Sequence, residues 1–470
     1  MEEHDQALDD EMAATEVTSV ITCMKWIPRQ SLMDRPFMYE LSALERERME
    51  NAEEENSEED EVQAKEEEDR ELEEEEGDNM LASQMEEMQL NREAMNVLNG
   101  NEADSDLGSD ADDHNLKPTD EILVTASVED DQASLEIHAY DHDTGSFYVH
   151  HDICLPAYPL CIEFVGVSGQ SMHFSETNSV SFLAVGTFQP EIEVWNLDVM
   201  NALEPNLKLV GNKDAVLGLS WNTKHANLLA SAGADKTIRL FDLETQSNAR
   251  TFAQVHKDKV QTVAWNPAEP SVLLSGSFDQ TVALLDCRQA DNNKPVVFPV
   301  NSGDIESVVW DVHNPALFGC STDRGVVAFF DVRFASKNKP LFKFQAHDKA
   351  CSQLAGNARV PGMYATCSAD KTVKIWDLQQ DLQREKSSSK LVTDKQPVSA
   401  KRMKSGKLFT CQFATNVDFE SRFDPFLLAS AGSKGHVALW HVGGDEDDDQ
   451  DEKCRAAFIA DRVLPTPKRW

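Results

Sequence analysis

The groups best suited to metal or acid–base chemistry stand together at His150–His151–Asp152. Imidazole nitrogens and a carboxylate are the donors a zinc-type ion takes. The flanking FYV and ICL, however, read as strand ends, where adjacent side chains point to opposite faces. The cluster is therefore expected to be structural, with one ring anchoring a connection. Cys154 and Cys161, seven apart, are expected to pack as small apolar groups. The nine cysteines are scattered without a CxxC pair, which fits a reduced, intracellular chain. There is no GxxxxGKS/T phosphate loop, no HExxH metal helix and no GxSxG nucleophile elbow. Nothing here specifies an enzyme, a cofactor or a metal.

Two other sets invite a different chemistry. Ser57 in SEED and Ser109 in SDAD carry acids just C-terminal to the hydroxyl, the context an acid-directed kinase takes. Phosphate would add almost two negative charges to each site. Arg384–Lys407 holds eight bases against two acids. Its Lys390–Thr393 portion is expected to form the outer strand of the sixth sequence repeat, blade six, and 395–407 a projecting loop. Lys395, Lys401, Arg402, Lys404 and Lys407 are the candidate contacts to an RNA backbone, because flexible cations suit phosphates. KRMK at 401–404 also has the form of a nuclear import signal.

The charge around these groups is very uneven. The 470 residues carry a net charge of −41. Residues 1–16 contribute −7, residues 40–113 contribute −25 and DEDDDQDE at 445–452 contributes −7, so the rest is nearly neutral. Such acidic stretches repel themselves and hold few apolar groups, so they are expected to be disordered, apart from a short helix within Leu81–Leu98. The global balance argues against a generic basic nucleic-acid binder, though not against one basic patch. No apolar run approaches the twenty residues of a membrane span, and Met1–Glu16 lacks the basic start and apolar stretch of a signal peptide.

The neutral remainder repeats itself seven times, as in NLLASAGADKTIRLFDLE, SVLLSGSFDQTVALLDCR and GMYATCSADKTVKIWDLQ. Anchors near the end of each copy fall at Tyr140, Trp195, Phe241, Leu285, Phe330, Trp376 and Trp440. The four middle intervals are 46, 44, 45 and 46 residues, and the end intervals stretch to 55 and 64. Short apolar runs, a turn at small residues and Asp, then alternating positions read as paired strands. Trp221, Trp265 and Trp310 close another strand 44 and 45 residues apart. Because that ladder shares the repeat period, it is read as core packing rather than base stacking. Four strands per repeat, seven times over, specify an all-β, seven-bladed propeller. Thr18–Trp26 resembles the tryptophan-bearing strand, yet its continuation begins only at Glu121. Blade one is thus split by a long acidic insertion, which the logarithmic cost of loop closure tolerates. Ala456–Leu464 is expected to supply the outer strand of blade seven.

These copies resemble the WD-repeat family, and the resemblance covers nearly everything outside the acidic segments. His347, Thr366, Asp370 and Trp376 match that family's structural tetrad, a hydrogen-bonded set within one blade. Other copies are eroded: Asn212 stands where His is expected in blade three, and Leu285 replaces Trp in blade four, beside His256, Ser275 and Asp279. SFYVHHDICLPAYPLCIEF, PEIEVWNLD, DAVLGLSWN and LLSGSFDQTVALLDCR, in this order, are similar to the periodic tryptophan proteins.

That resemblance implies a nuclear, nucleolar scaffold for large-subunit (60S) assembly and pre-rRNA processing. The implied partners are pre-60S assembly factors and pre-rRNA, with no membrane and no cofactor, the chain being monomeric within a larger complex. The alternative it implies is a chromatin-associated factor holding histones at ribosomal DNA. The organisation expected is an acidic N-terminus at 1–16, the first strand at 17–30 and the insertion at 40–116. The propeller then occupies 118–464, with a basic loop at 395–407, an acidic loop at 443–453 and a tail at 465–470.

Overall fold

A run such as VVAFFD carries apolar groups on both faces and needs cover on both, whereas SNARTF needs it on neither. The strands sort accordingly. Leu317–Thr322 and Val326–Asp331 are buried along their whole length, while Ser247–Phe252 is largely exposed. Middle strands therefore lie between neighbouring sheets, and polar strands form the outer edges. The computed structural model describes residues 19–33, 36–38, 116–142, 144–166, 181–288, 295–337, 339–383, 390–414 and 425–442.

These residues form the seven blades of a β-propeller. Blade three shows the pattern: Val216–Trp221, Leu228–Gly233, Ile238–Asp242 and Ser247–Phe252, each antiparallel to the next. Blades four and five repeat it from Val260–Trp265 and Ile305–Trp310. In blade one Val20–Ile27 pairs with Glu121–Glu129, from Val20 opposite Val128 to Ile27 opposite Ile122. The chain thus returns to complete this sheet after the insertion. Blade seven shows Leu408–Phe413, Leu427–Gly432 and Ala438–His441 among the described residues. All these strands belong to the unit Met1–Phe37 with Leu116–Trp470; of the second unit, Met38–Asn115, only Met38 is described.

Two ladders join blade to blade. The indole N–H of Trp265 donates to Ser220 O at 3.1 Å, and that of Trp310 to Ala264 O at 3.0 Å. Trp265 and Trp310 thus repeat one interblade bond, whereas Trp221 Nε1 donates to Ala226 O of its own blade at 2.8 Å. The residue after the innermost strand makes the second: the amides of Asn222, Asn266 and Asn357 donate to the carbonyls of Pro270, Pro315 and Pro425 at 2.7, 2.8 and 2.6 Å. Ring closure uses the same chemistry. Trp26 Nε1 donates to Gln412 O at 3.2 Å, and Gln412 Nε2 donates to Met24 O at 2.9 Å. Between blades the core is aromatic, with Phe344 and Trp376 rings 4.7 Å apart and Phe318 stacked on Phe330 at 5.2 Å. Each such buried side chain contributes roughly 1.5–3 kcal/mol.

One strand assignment changes. Leu391–Val392 does not complete blade six; it runs parallel to Phe342–Gln345 of blade five. Val392 settles there against the apolar packing around Phe344. The outer strand of blade six is Ser399–Arg402, opposite Thr372–Asp377. Residues 395–407 are thus not a loop throughout. The segment 1–16, Ser57 and Ser109 in the insertion, the helix expected within Leu81–Leu98, the loop at 443–453, the strand expected at Ala456–Leu464 and the tail at 465–470 lie outside the described residues.

Candidate functional site

Each innermost strand breaks register once near its start. Such a bulge inserts one unpaired residue and re-aims its side chain. The seven inserted residues are Thr22, Leu160, Leu217, Gln261, Glu306, Ser352 and Phe409, and all line one cavity of about 990 Å³ along the innermost strands. Glu306 alone among the seven is ionisable. Burial, with Asp323 and Asp304 adding repulsion, raises its carboxyl from 4.5 to about 7. The cavity wall also carries the Lys25–Glu163 ion pair at 2.7 Å. Tyr158 and Phe188 line the same space with their rings 5.5 Å apart. Phe188 is 60% and Phe409 38% exposed. The arrangement offers aromatic faces, amides, two acids and a lysine, which is equipment for binding.

The four residues expected to form a tetrad meet in blade six. Trp376 Nε1 donates to Thr366 Oγ1 at 2.9 Å. Thr366 Oγ1 lies 2.8 Å from His347 Nε2, and His347 Nδ1 lies 2.8 Å from Asp370 Oδ2. A neutral imidazole with its proton on Nδ1 satisfies the whole chain: indole to hydroxyl, hydroxyl to Nε2, Nδ1–H to carboxylate. Burial lowers the His347 pKa, which keeps that form. Burial would raise Asp370, but hydrogen bonds from His347 and Thr372 outweigh it and hold the carboxyl well below its ordinary value. Blade four keeps His256 between Ser275 and Asp279, at 2.8 and 3.1 Å. Blade three solves the loss of histidine differently. Asn212 Oδ1 accepts from Ser231 Oγ and from Arg239 Nη1, both at 3.1 Å, and Arg239 pairs with Asp235 at 2.7 Å. Arg239 was not singled out from sequence, although an Arg within the apolar run TIRLFD is the available signal.

The histidine pair also corrects an expectation. A bulge opposite Ile137 and His138 breaks the alternation, and both rings come together. His150 Nδ1 lies 2.8 Å from His151 Nδ1, while His151 Nε2 donates to Leu197 O of blade two at 3.1 Å. Burial, then the neighbouring His150, lower His151 from 6.5 to about 4. One ring thus anchors blade one to blade two. Cys161 is packed in the core beside Cys23, whereas Cys154 is exposed.

The five candidate RNA contacts divide. Lys395 is ion-paired to Asp381 and lies over the Phe344 ring. Lys401 is half-buried over the Trp440 ring at 5.5 Å. Arg402, Lys404 and Lys407 are exposed.

Comparison with known proteins adds to this geometry. Residues 203–242, 247–286 and 338–377 match the family model described as WD domain, G-beta repeat. An uncharacterised WD repeat-containing protein of Schizosaccharomyces pombe is 37% identical over 344 residues, 69% of this chain and 62% of that protein. The Drosophila melanogaster periodic tryptophan protein 1 homolog is 37% identical over 153 residues, 30% of this chain and 32% of its own length. Periodic tryptophan protein 1 of Saccharomyces cerevisiae is 29% identical over 191 residues, 30% of this chain and 33% of its own length. The chain therefore spans less than two thirds of the length of each of these relatives.

Proposed function

Because the chain is a WD-repeat propeller similar over extended stretches to periodic tryptophan proteins, we propose that it is a non-catalytic scaffold in ribosome biogenesis. It would act in the nucleolus on the large subunit, holding assembly factors and pre-rRNA in register. The observation that carries this reading is how the reactive-looking side chains are used. His347 with Asp370, His256 with Asp279 and His151 with Leu197 O are all committed to holding blades. The bulge-lined cavity and the turns around its mouth remain available for recognition. Ser57 and Ser109 are proposed as phosphorylation sites of the acidic insertion.

The test is sedimentation. The tagged chain should travel with pre-60S particles, RNase should release it, and its depletion should leave unprocessed pre-rRNA. Sedimentation as free protein, together with capture of purified histones through residues 40–113, would replace this reading with the chromatin one.

A further inference from the structure

Main-chain bonds gather a set of cations that are far apart in sequence. The Met403 N–H donates to Lys371 O at 2.9 Å, and Thr372 pairs with Arg402 across the blade-six edge. Four residues on, Lys407 and Ser433 exchange bonds: Ser433 N–H to Lys407 O at 2.9 Å, and Lys407 N–H to Ser433 Oγ at 3.0 Å. Lys371, Arg402, Lys404, Lys407 and Lys434 are therefore neighbours on the turns of blades six and seven, and all five are exposed. None of the five side chains joins an ion pair among the described residues. The nearest acid in sequence, Asp370, is already held by His347 and Thr372. Comparable turns elsewhere are balanced, as where Lys236 meets Asp258 at 3.6 Å. Two residues beyond Lys407, the bulge turns exposed Phe409 into the cavity that Tyr158 and Phe188 also line.

We propose that this face binds single-stranded RNA, its phosphates on the five cations and a base stacked on Phe409. Unpaired cations beside an exposed aromatic ring are the combination that single strands use. An acidic peptide would satisfy the cations but has no base to place on the ring. The inference deepens the scaffold reading, which supplies the RNA as pre-rRNA. The binding itself is measured without ribosomes, so the two can fail separately.

The experiment is fluorescence anisotropy of the full chain with a labelled, mixed-sequence single-stranded RNA across a salt series. With five phosphates neutralised, a fourfold rise in salt should weaken wild-type binding about 100-fold. Combining Lys371→Gly with Arg402→Gln, Lys404→Gln, Lys407→Gln and Lys434→Gln should abolish most of that salt dependence. Lys371 sits in the left-handed region at φ 71°, where glycine is at ease, so its replacement does not threaten folding. Phe409→Leu keeps an apolar residue, leaves the salt slope unchanged and should weaken binding roughly 10-fold. Equal losses on replacing Lys213, Lys236, Lys257 and Lys259 by Gln would overturn the proposal in favour of diffuse attraction. Binding of polyglutamate as tight as RNA, with Phe409→Leu silent, would overturn it in favour of an acidic protein partner.

Discussion

Replacing Glu306 with Gln should stabilise the propeller at alkaline pH and leave it unchanged in acid. The carboxyl titrates at about 7 instead of 4.5 because it is buried at the cavity wall near Asp323 and Asp304. The folded chain therefore holds a proton that the unfolded chain releases, and stability falls as pH climbs from about 4.5 to 7. A difference of that size corresponds to up to about 3 kcal/mol, less whatever solvent in the cavity screens. His151 works in the opposite sense over nearly the same interval. Its folded value of about 4 against 6.5 means that stability falls as pH drops through that range. The two effects oppose each other in the native chain over this interval. Urea unfolding of native chain and Glu306→Gln at about pH 4.5 and pH 8 separates them. The variant should gain nothing at the lower pH and as much as ~3 kcal/mol at the higher. An equal gain at both values would mean a packing effect, and no gain at pH 8 would refute the argument about burial.

His151→Gln should show the mirror image, with stability falling less between about pH 6.5 and pH 4 than in the native chain, read in the same unfolding series. Asp370→Ala should cost roughly 1–3 kcal/mol, because the His347 N–H loses its buried acceptor; thermal melting checks it, and loss of partners at unchanged stability would make Asp370 a recognition residue. Deleting residues 45–110 should leave the thermal transition in place, since the pairing of Val20–Ile27 with Glu121–Glu129 is untouched; a large drop in melting temperature would count against that.

The repeat period was legible because the apolar anchors recur at the blade spacing, and Trp26, Trp265 and Trp310 spend their indole N–H on the same interblade bond. The bulges were not, since one extra residue at the start of a strand leaves the apolar pattern readable in either register. Glu306 and Phe409 gain their positions only from those bulges, and sequence offers no reason to group them. The tetrad in blade six could be matched residue by residue, but the blade-three version requires knowing that Arg239 folds back on Asn212. Outer strands were the weakest reading. Ser399–Arg402 is a polar edge without alternation, and Leu391–Val392 is too short to show which blade it joins. The basic patch was half visible: Arg402, Lys404 and Lys407 lie in one run, while Lys371 and Lys434 join them only through turn contacts.

The split of blade one carries a consequence for assembly. Val20–Ile27 completes its sheet and closes the ring against Leu408–Phe413 through Trp26 and Gln412. Of the 93 residues between Ile27 and Glu121, those nearest the propeller are held by it: Arg29 donates to Lys117 O and Leu116 O at 2.8 and 2.6 Å, and Phe37–Met38 pairs with Val199–Met200. The stretch between these held ends is the 77 residues 39–115, and a chain of that length spans at most on the order of 250 Å. The closing strand is therefore an exchangeable stave. A cut between residues 39 and 115 should leave Val20–Ile27 seated as part of a separate peptide, and at high concentration two copies should trade staves, each ring sealed by the other's first strand.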